Sequence, residues 1–261
     1  MQKIAVCGKG GSGKSVLVRL LADGLKRRGR RVLVVDSDES NTGLYRMLGF
    51  DKPPEPLIGL LGGKKKLEDM LEEAIRSGTP EMQVDLIRQE LQLTDIPAQY
   101  MLEKDGIRLI NIGKILMALE GCACPMGIVS RSFLKRLRLP PDEVAVVDME
   151  AGVEHFGRGV ETSIDCVLVV VEPSLDSLEV AEKIHELAGQ IDIADVWAVL
   201  NKITSKDIAR RLTAELDRRG IRAIGEIHQD AEIFESSLEG RPIASGVASH
   251  DIDKVLDFLF P

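Results

Sequence analysis

The chain has 261 residues, enough for one large α/β domain, and only 3% of its side chains are aromatic, so its core must rest on Val, Leu, Ile and Ala. A formal charge of −8 argues against a broad nucleic-acid footprint, and no apolar run reaches the roughly 18–20 residues of a membrane span. The four cysteines, Cys7, Cys122, Cys124 and Cys166, do not resemble a secreted disulfide framework, and MQKIAVCGKGG lacks the apolar stretch of a signal peptide, so the expected setting is the cytoplasm with reduced thiols.

In chain order, KIAVC (3–7) reads as a short buried strand and a glycine-rich turn follows it. SVLVRLLADGLKRRG then shows helical spacing and stops at Gly29, a C-cap residue, with the cations of Lys26 to Arg31 favourably placed at the negative end of its dipole. RVLVVDSD (31–38) is a second strand running into acidic residues. From about Asp51 to Asp105 the pattern breaks at Pro53, Pro54, Pro56 and Gly62-Gly63, and only LEDMLEEAIRS (67–77) looks helical. This region is expected to be a helical insertion or lid on a single domain spanning 1–261.

Strands resume at IRLINIG (107–113), EVAVVDM (143–149), CVLVVVE (166–172), VWAVLNK (196–202) and AIGEI (223–227). Helical segments separate most of them, including SLEVAEKIHELAGQ and SKDIARRLTAELDRRG. The apolar runs are continuous rather than alternating, as in parallel strands covered on both faces. The expected fold class is therefore α/β, a mostly parallel sheet flanked by helices on both faces. Cys7 and Cys166 read as core thiols, Asp142-Glu143 as a solvated strand entrance, His155 as a switch-loop or surface group, and His185 and His228 as surface groups. The closing IDKVLDFLFP is short and carries Asp253 and Asp257, so it reads as a docked helix rather than a membrane anchor.

The chemistry concentrates at Gly8-Lys9-Gly10-Gly11-Ser12-Gly13-Lys14-Ser15, which matches G-x-x-x-x-G-K-[ST] between a strand and a helix. Glycines let successive N–H groups turn toward phosphate oxygens, and the helix N-terminus adds donors and a favourable dipole. Lys14 can reach the β- and γ-phosphates and Ser15 can ligate Mg²⁺, which implies a nucleoside triphosphate and Mg²⁺ as ligands. Such a site needs an acidic partner at the end of another strand, and Asp148 has that place. Asp36 and Asp38 end a further strand, where a carboxylate orients the attacking water or holds the metal through water; these residues alone do not rank the two.

With Lys9 in place, KGGSGK resembles the deviant Walker A motif of the MinD/ParA/nitrogenase-iron-protein ATPases. VLVVDSDESN resembles that group's first switch, VVDMEAG its Walker B and second switch, VLNK its base-contacting strand end, and GEIHQDAEIFESSLEGRPI its C-terminal pattern. The resemblance implies ATP as substrate and two nucleotide-bound subunits packed face to face. It implies that Lys9 reaches the partner's nucleotide, Asp38 positions water, Asn201 contacts adenine and Gly152 senses the γ-phosphate. A cation at the transferred phosphate would stabilise transition-state charge.

DMEAGVEHFGRG (148–159) and GCACP (121–125) further resemble the CooC-type nickel-insertion ATPases that mature carbon monoxide dehydrogenase. That likeness implies a metallochaperone with carbon monoxide dehydrogenase as client, and neither nucleic acid nor membrane as partner. Cys122 and Cys124 fall on the family's Cys-x-Cys pair. Two thiolates on one loop suit zinc, nickel, copper(I) or an iron–sulfur cluster, with Ni²⁺ or Zn²⁺ the expected metal, and a closed four-thiolate site needs two copies of the loop, as a homodimer axis would supply. The competing expectations are a redox ATPase like the nitrogenase iron protein and a partitioning switch like ParA or MinD.

Overall fold

The computed structural model describes residues 1–78, 86–87, 89–114, 124–157, 159–243 and 248–261. Its strands are β1 (Lys3–Gly8), β2 (Arg31–Asp36), β3 (Met101–Lys104), β4 (Ile107–Asn111), β5 (Glu143–Asp148), β6 (Cys166–Val171), β7 (Val196–Ile203) and β8 (Arg222–His228). They form one eight-stranded sheet in the order β3-β4-β2-β5-β1-β6-β7-β8. Every neighbouring pair is parallel except the edge pair β3–β4. The α/β expectation holds.

The continuous apolar runs have a direct explanation. Alternate residues of a strand face opposite sides, and here both sides are covered. On one side Ile4, Val6, Val32 and Val34 meet Leu17, Leu21 and Leu25 of α1 (Lys14–Arg27) and Ile252, Val255 and Leu256 of α9 (Ala248–Leu259). On the other side Ala5, Cys7, Leu33 and Val35 share a cluster with Phe133 of α4 (Cys124–Arg136), Ile184 of α6 (Leu175–Gln190) and Leu216 of α7 (Lys206–Arg218). Both Cys7 and Cys166 are fully enclosed, and burial pushes their thiols up, out of the reactive range.

Helix α1 ends as expected. Gly29 adopts φ 74°, and the N–H of Arg30 returns to the carbonyl of Leu25 at 3.1 Å. The final helix α9 docks on α1 and β8. Short helices α2 (Leu44–Met47) and α5 (Glu154–Gly157) and the longer α3 (Lys64–Arg76) and α8 (Ala231–Glu239) complete the helical set among the described residues. None of the described helices is long and apolar enough to cross a membrane.

Between 51 and 105 the structure holds a 3-10 turn at Leu57–Leu61, α3, a second such turn at Leu93–Asp95, and β3. Strand β3 has no apolar run, which is why the sequence hides it. Its signal lies in the turn: Asp105 and Gly106 both have positive φ, 52° and 78°, as a two-residue hairpin needs.

Two surface expectations are corrected. Glu143 is 1% exposed and accepts a hydrogen bond from Arg108 at 2.8 Å, because β5 lies in the middle of the sheet and its entrance is covered; Asp142 alone is exposed. His155 is 2% exposed within α5, with Nε2 3.2 Å from the carbonyl oxygen of Gly152. His228 keeps a surface place, its side chain 41% exposed, with Nδ1 2.9 Å from Asp251 of α9.

Candidate nucleotide site

The loop Gly8–Ser15 leaves the C-terminal end of β1, the strand between β5 and β6, and enters α1. This is the crevice at which open α/β sheets bind ligands. Two glycines are required by space as well as by dihedral angle. A Cβ on Gly8 (φ 142°) would lie 2.7 Å from the carbonyl of Val170, and one on Gly13 (φ 100°) would lie 2.1 Å from Nδ2 of Asn201. Gly13 is the N-cap of α1, so the first free N–H groups of the helix open onto the loop. Lys14 follows and is 6% exposed.

Ser15 links two neighbouring segments. Its Oγ donates to Oδ2 of Asp148 at 2.7 Å and accepts from Nδ2 of Asn41 at 2.7 Å. Asp148 is fully buried, and its Oδ1 has no hydrogen-bond partner among the described residues. Burial, and secondarily the charge of Asp36, push its carboxyl up to about 7, against the pull of Ser15 and Lys14. Asp36 is its register partner across β2 and β5; burial pushes that carboxyl up to about 6, with Lys114 opposing the rise. Crowded, buried carboxylates with an unpartnered oxygen beside a hydroxyl are the oxygen donor set of a hard divalent cation. The residues present fit Mg²⁺.

Asp38 is 5% exposed. Its Oδ1 accepts from the N–H of Ser40 at 2.9 Å, the hydroxyl of Ser40 at 2.6 Å and the N–H of Asn41 at 3.1 Å. Gly152 (φ 86°) donates its N–H to the carbonyl of Gly8 at 3.2 Å, so the segment around Gly152 rests against the phosphate loop. Asn201 donates to the carbonyl of Ser12 at 2.7 Å. Two clefts flank Gly11 and Gly13. One, about 270 Å³, is walled by Lys14, Ser15, Asp38 and Asn41 and suits a polyphosphate. The other, about 280 Å³, is walled by Asn201, His228, Ile233 and Phe234 and suits a planar base.

The CbiA family, described as the CobQ/CobB/MinD/ParA nucleotide binding domain, matches residues 3–243. The chain belongs to this family of P-loop ATPases. It is 38% identical to an ATP-binding protein of Methanocaldococcus jannaschii, over 98% of this chain and 99% of that one. It is 36% identical to the carbon monoxide dehydrogenase accessory protein CooC of Rhodospirillum rubrum, over 78% of this chain and 75% of that one. Among solved structures, the septum site-determining protein MinD of Pyrococcus horikoshii, complexed with Mg-ADP, shares the fold with a TM-score of 0.68, at 19% identity over 99% of this chain and 96% of that one.

In this ATPase Gly10, Gly11, Gly13, Lys14, Ser15 and Asp38 line the first cleft, Asn201 lines the second, and Gly8, Ser12, Asp148 and Gly152 support them through hydrogen bonds or the loop backbone. Lys9 lies at the rim and turns along its own chain. Its Nζ is 3.1 Å from Glu172 and 3.9 Å from Asp176. Glu172 also receives Lys202 at 2.6 Å, and Lys202 donates in addition to the carbonyl of Gly11 at 2.6 Å. Burial pushes the Glu172 carboxyl up, but Lys202 and Lys9 hold it below its ordinary value.

Cys122 lies outside the described residues, and Cys124 is the first residue of α4. Among the described residues no group of three or more His, Cys, Asp or Glu side chains lies close enough to hold a metal ion. Sequence reasoning missed Asn41, Glu172, Lys202 and Lys114. The first three sit inside or beside quoted segments, VLVVDSDESN, CVLVVVE and VLNK, but their partners lie far along the chain. Lys114 sits in no motif.

Proposed function

We propose that this ATPase is a nucleotide-driven metallochaperone that acts as a homodimer, takes Ni²⁺ or Zn²⁺ as cargo on Cys122 and Cys124, and serves nickel insertion into carbon monoxide dehydrogenase. The supporting observation is the likeness to the accessory protein CooC over 78% of this chain, together with the Cys-x-Cys pair at Cys122 and Cys124 in the sequence. The chain acts as one domain over 1–261, with 51–105 as a helical insertion or lid, in the cytoplasm.

The residues divide the work as follows. Loop amides and Lys14 bind the phosphates, and Ser15 with Asp148 holds Mg²⁺, which when bound neutralises charge on the transferred phosphate. Asp38, oriented by Ser40 and Asn41, aligns the attacking water. Asn201 faces the base and Gly152 reports the γ-phosphate to the second switch. Lys9 exchanges Glu172 for the partner subunit's nucleotide, so dimer formation competes with an internal ion pair. Whatever binds only the dimer stabilises it, which links the thiolates to the nucleotide state. The docked α9 supports this reading over a membrane-positioning switch, because its apolar face is already spent on α1 and β8.

Size-exclusion chromatography with light scattering, run with ADP or a non-hydrolysable ATP analogue and with Ni²⁺ or Zn²⁺, tests the proposal when read with metal analysis. The expected result is a dimer with the ATP analogue that carries bound metal, and loss of the metal in a Cys122→Ser/Cys124→Ser variant. Unchanged metal stoichiometry in that variant removes the metallochaperone reading.

A further inference from the structure

Among the described residues, three ties hold the first-switch segment at the sheet and the end of β4, beside a hydroxyl contact of Ser37 with Ser130 of α4 at 2.8 Å. The N–H of Ile112 donates to the carbonyl of Asp36 at 3.0 Å, and the N–H of Ser37 donates to the carbonyl of Asp148 at 3.0 Å. The third comes from a side chain. Lys114, just beyond β4, is 7% exposed, and its Nζ lies 2.7 Å from Oδ1 of Asp36, itself equally buried. The same Nζ donates to the main-chain carbonyl of Asp38.

This arrangement is costly. A buried ion pair loses the hydration of both partners, and a long side chain loses rotamer freedom. An apolar pair of similar volume would be as stable or more so. The geometry gives Lys114 a use beyond stability. By holding the Asp38 carbonyl it sets where residue 38 stands relative to the phosphate loop. The Asp38 carboxylate then collects Ser40 and Asn41, Asn41 holds Ser15, and Ser15 holds Asp148. One cation therefore anchors a continuous chain of bonds from the end of β4 to the candidate magnesium corner.

We propose that Lys114 is a positioning residue for ATP hydrolysis, pinning the Asp36–Asn41 segment so that the Asp38 carboxylate faces the transferred phosphate. This rests on the reading that hydrolysis takes place in the cleft beside Lys14. Lys114 touches neither nucleotide nor water in this scheme. Its loss should therefore lower kcat more than it raises KM, since the phosphate-binding amides are untouched.

The test is steady-state MgATP hydrolysis by Lys114→Met and Lys114→Arg beside the unaltered protein. In Lys114→Met, kcat should fall at least about tenfold with KM within about threefold, and Lys114→Arg, which keeps a multiple donor, should recover at least about threefold of the loss. A kcat unchanged in Lys114→Met, or a fall in kcat matched by the same fall in Lys114→Arg, overturns the proposal. Removing one partner of a buried pair destabilises the fold, so a Lys114→Met/Asp36→Asn variant, which leaves neither charge alone, is compared with Asp36→Asn by hydrogen exchange. The proposal expects faster exchange of the 37–43 peptide in the double variant with β2 unchanged; equal exchange of that peptide overturns it. Lys14→Ala separates the two readings: if it keeps full hydrolysis, the cleft assignment fails, whatever Lys114 does.

Discussion

Asp148 is held where a carboxylate is least comfortable, fully buried beside a second acid and with one oxygen unpartnered among the described residues. Its carboxyl stands at about 7 in the folded chain against an ordinary 3.8. The folded chain therefore holds more protons than the unfolded one between those values, and stability falls as pH rises through the interval. Each pH unit crossed costs at most about 1.4 kcal/mol for one such group, and Asp36 shares the same charge, so the two costs do not add. Thermal unfolding in EDTA without nucleotide should show a lower Tm at pH 7.5 than at pH 5.5, and Asp148→Asn should flatten this dependence and raise Tm at pH 7.5. A Tm lowered by Asp148→Asn at pH 7.5 would contradict the assignment. Glu172 makes the opposite case, a carboxylate held ionised by two lysines. Glu172→Gln removes the nearer of the two acids beside Lys9 and leaves only Asp176 at 3.9 Å, so nucleotide-driven dimers should form at a lower protein concentration, read by light scattering.

At the scale of elements, the loops owe their positions to close packing beneath them. Helix α9 approaches α1 and β8 so tightly that a Cβ on Gly24 would sit 2.4 Å from Leu256, and one on Gly225 2.4 Å from Val255. Both contacts are with buried apolar side chains. Gly24→Ala gains helix propensity in the unfolded-to-helix balance, about 1 kcal/mol, but must displace Leu256, and overpacking of this kind costs about 1–3 kcal/mol. A net loss of stability is expected in urea unfolding, and Gly24→Ala/Leu256→Val should recover part of it. Leu256→Ala alone should cost about 2–5 kcal/mol by leaving a cavity. The ion pairs Arg27–Asp253 and Arg28–Asp257 lie at the surface between the same helices, and their removal should change stability by less than about 1 kcal/mol.

For the whole molecule, the proposed function divides into two tasks. The residues proposed to recognise phosphate, Gly8 to Ser15 with Asp148, all lie within a single chain. The proposed cross-subunit work of Lys9 and the thiolate pair needs a second copy. Lys9→Ala should accordingly leave binding of a fluorescent ATP analogue within a few-fold of the unaltered protein, while nucleotide-driven dimerisation and hydrolysis are lost. Equal loss of monomer binding would instead place Lys9 within its own chain's site.

The sequence by itself determined the sheet, because continuous Val-, Ile- and Leu-rich runs have only one stable use, burial on both faces. It determined the phosphate loop as well, because Gly8 and Gly13 with Lys14 and Ser15 act through local backbone geometry that a short motif encodes completely. Strand β3 escaped notice since a four-residue edge strand needs little apolar surface, although Asp105-Gly106 marked its turn. Only the tertiary structure decided the partners that cross long stretches of chain: Asp148 on Ser15, Asn201 on Ser12, Glu172 on Lys9, and Lys114 on Asp36 and Asp38. A buried ion pair has no periodicity and no spacing. It exists because sheet order places β4 beside β2 and β2 beside β5, and that order is fixed by packing rather than by any local run of residues.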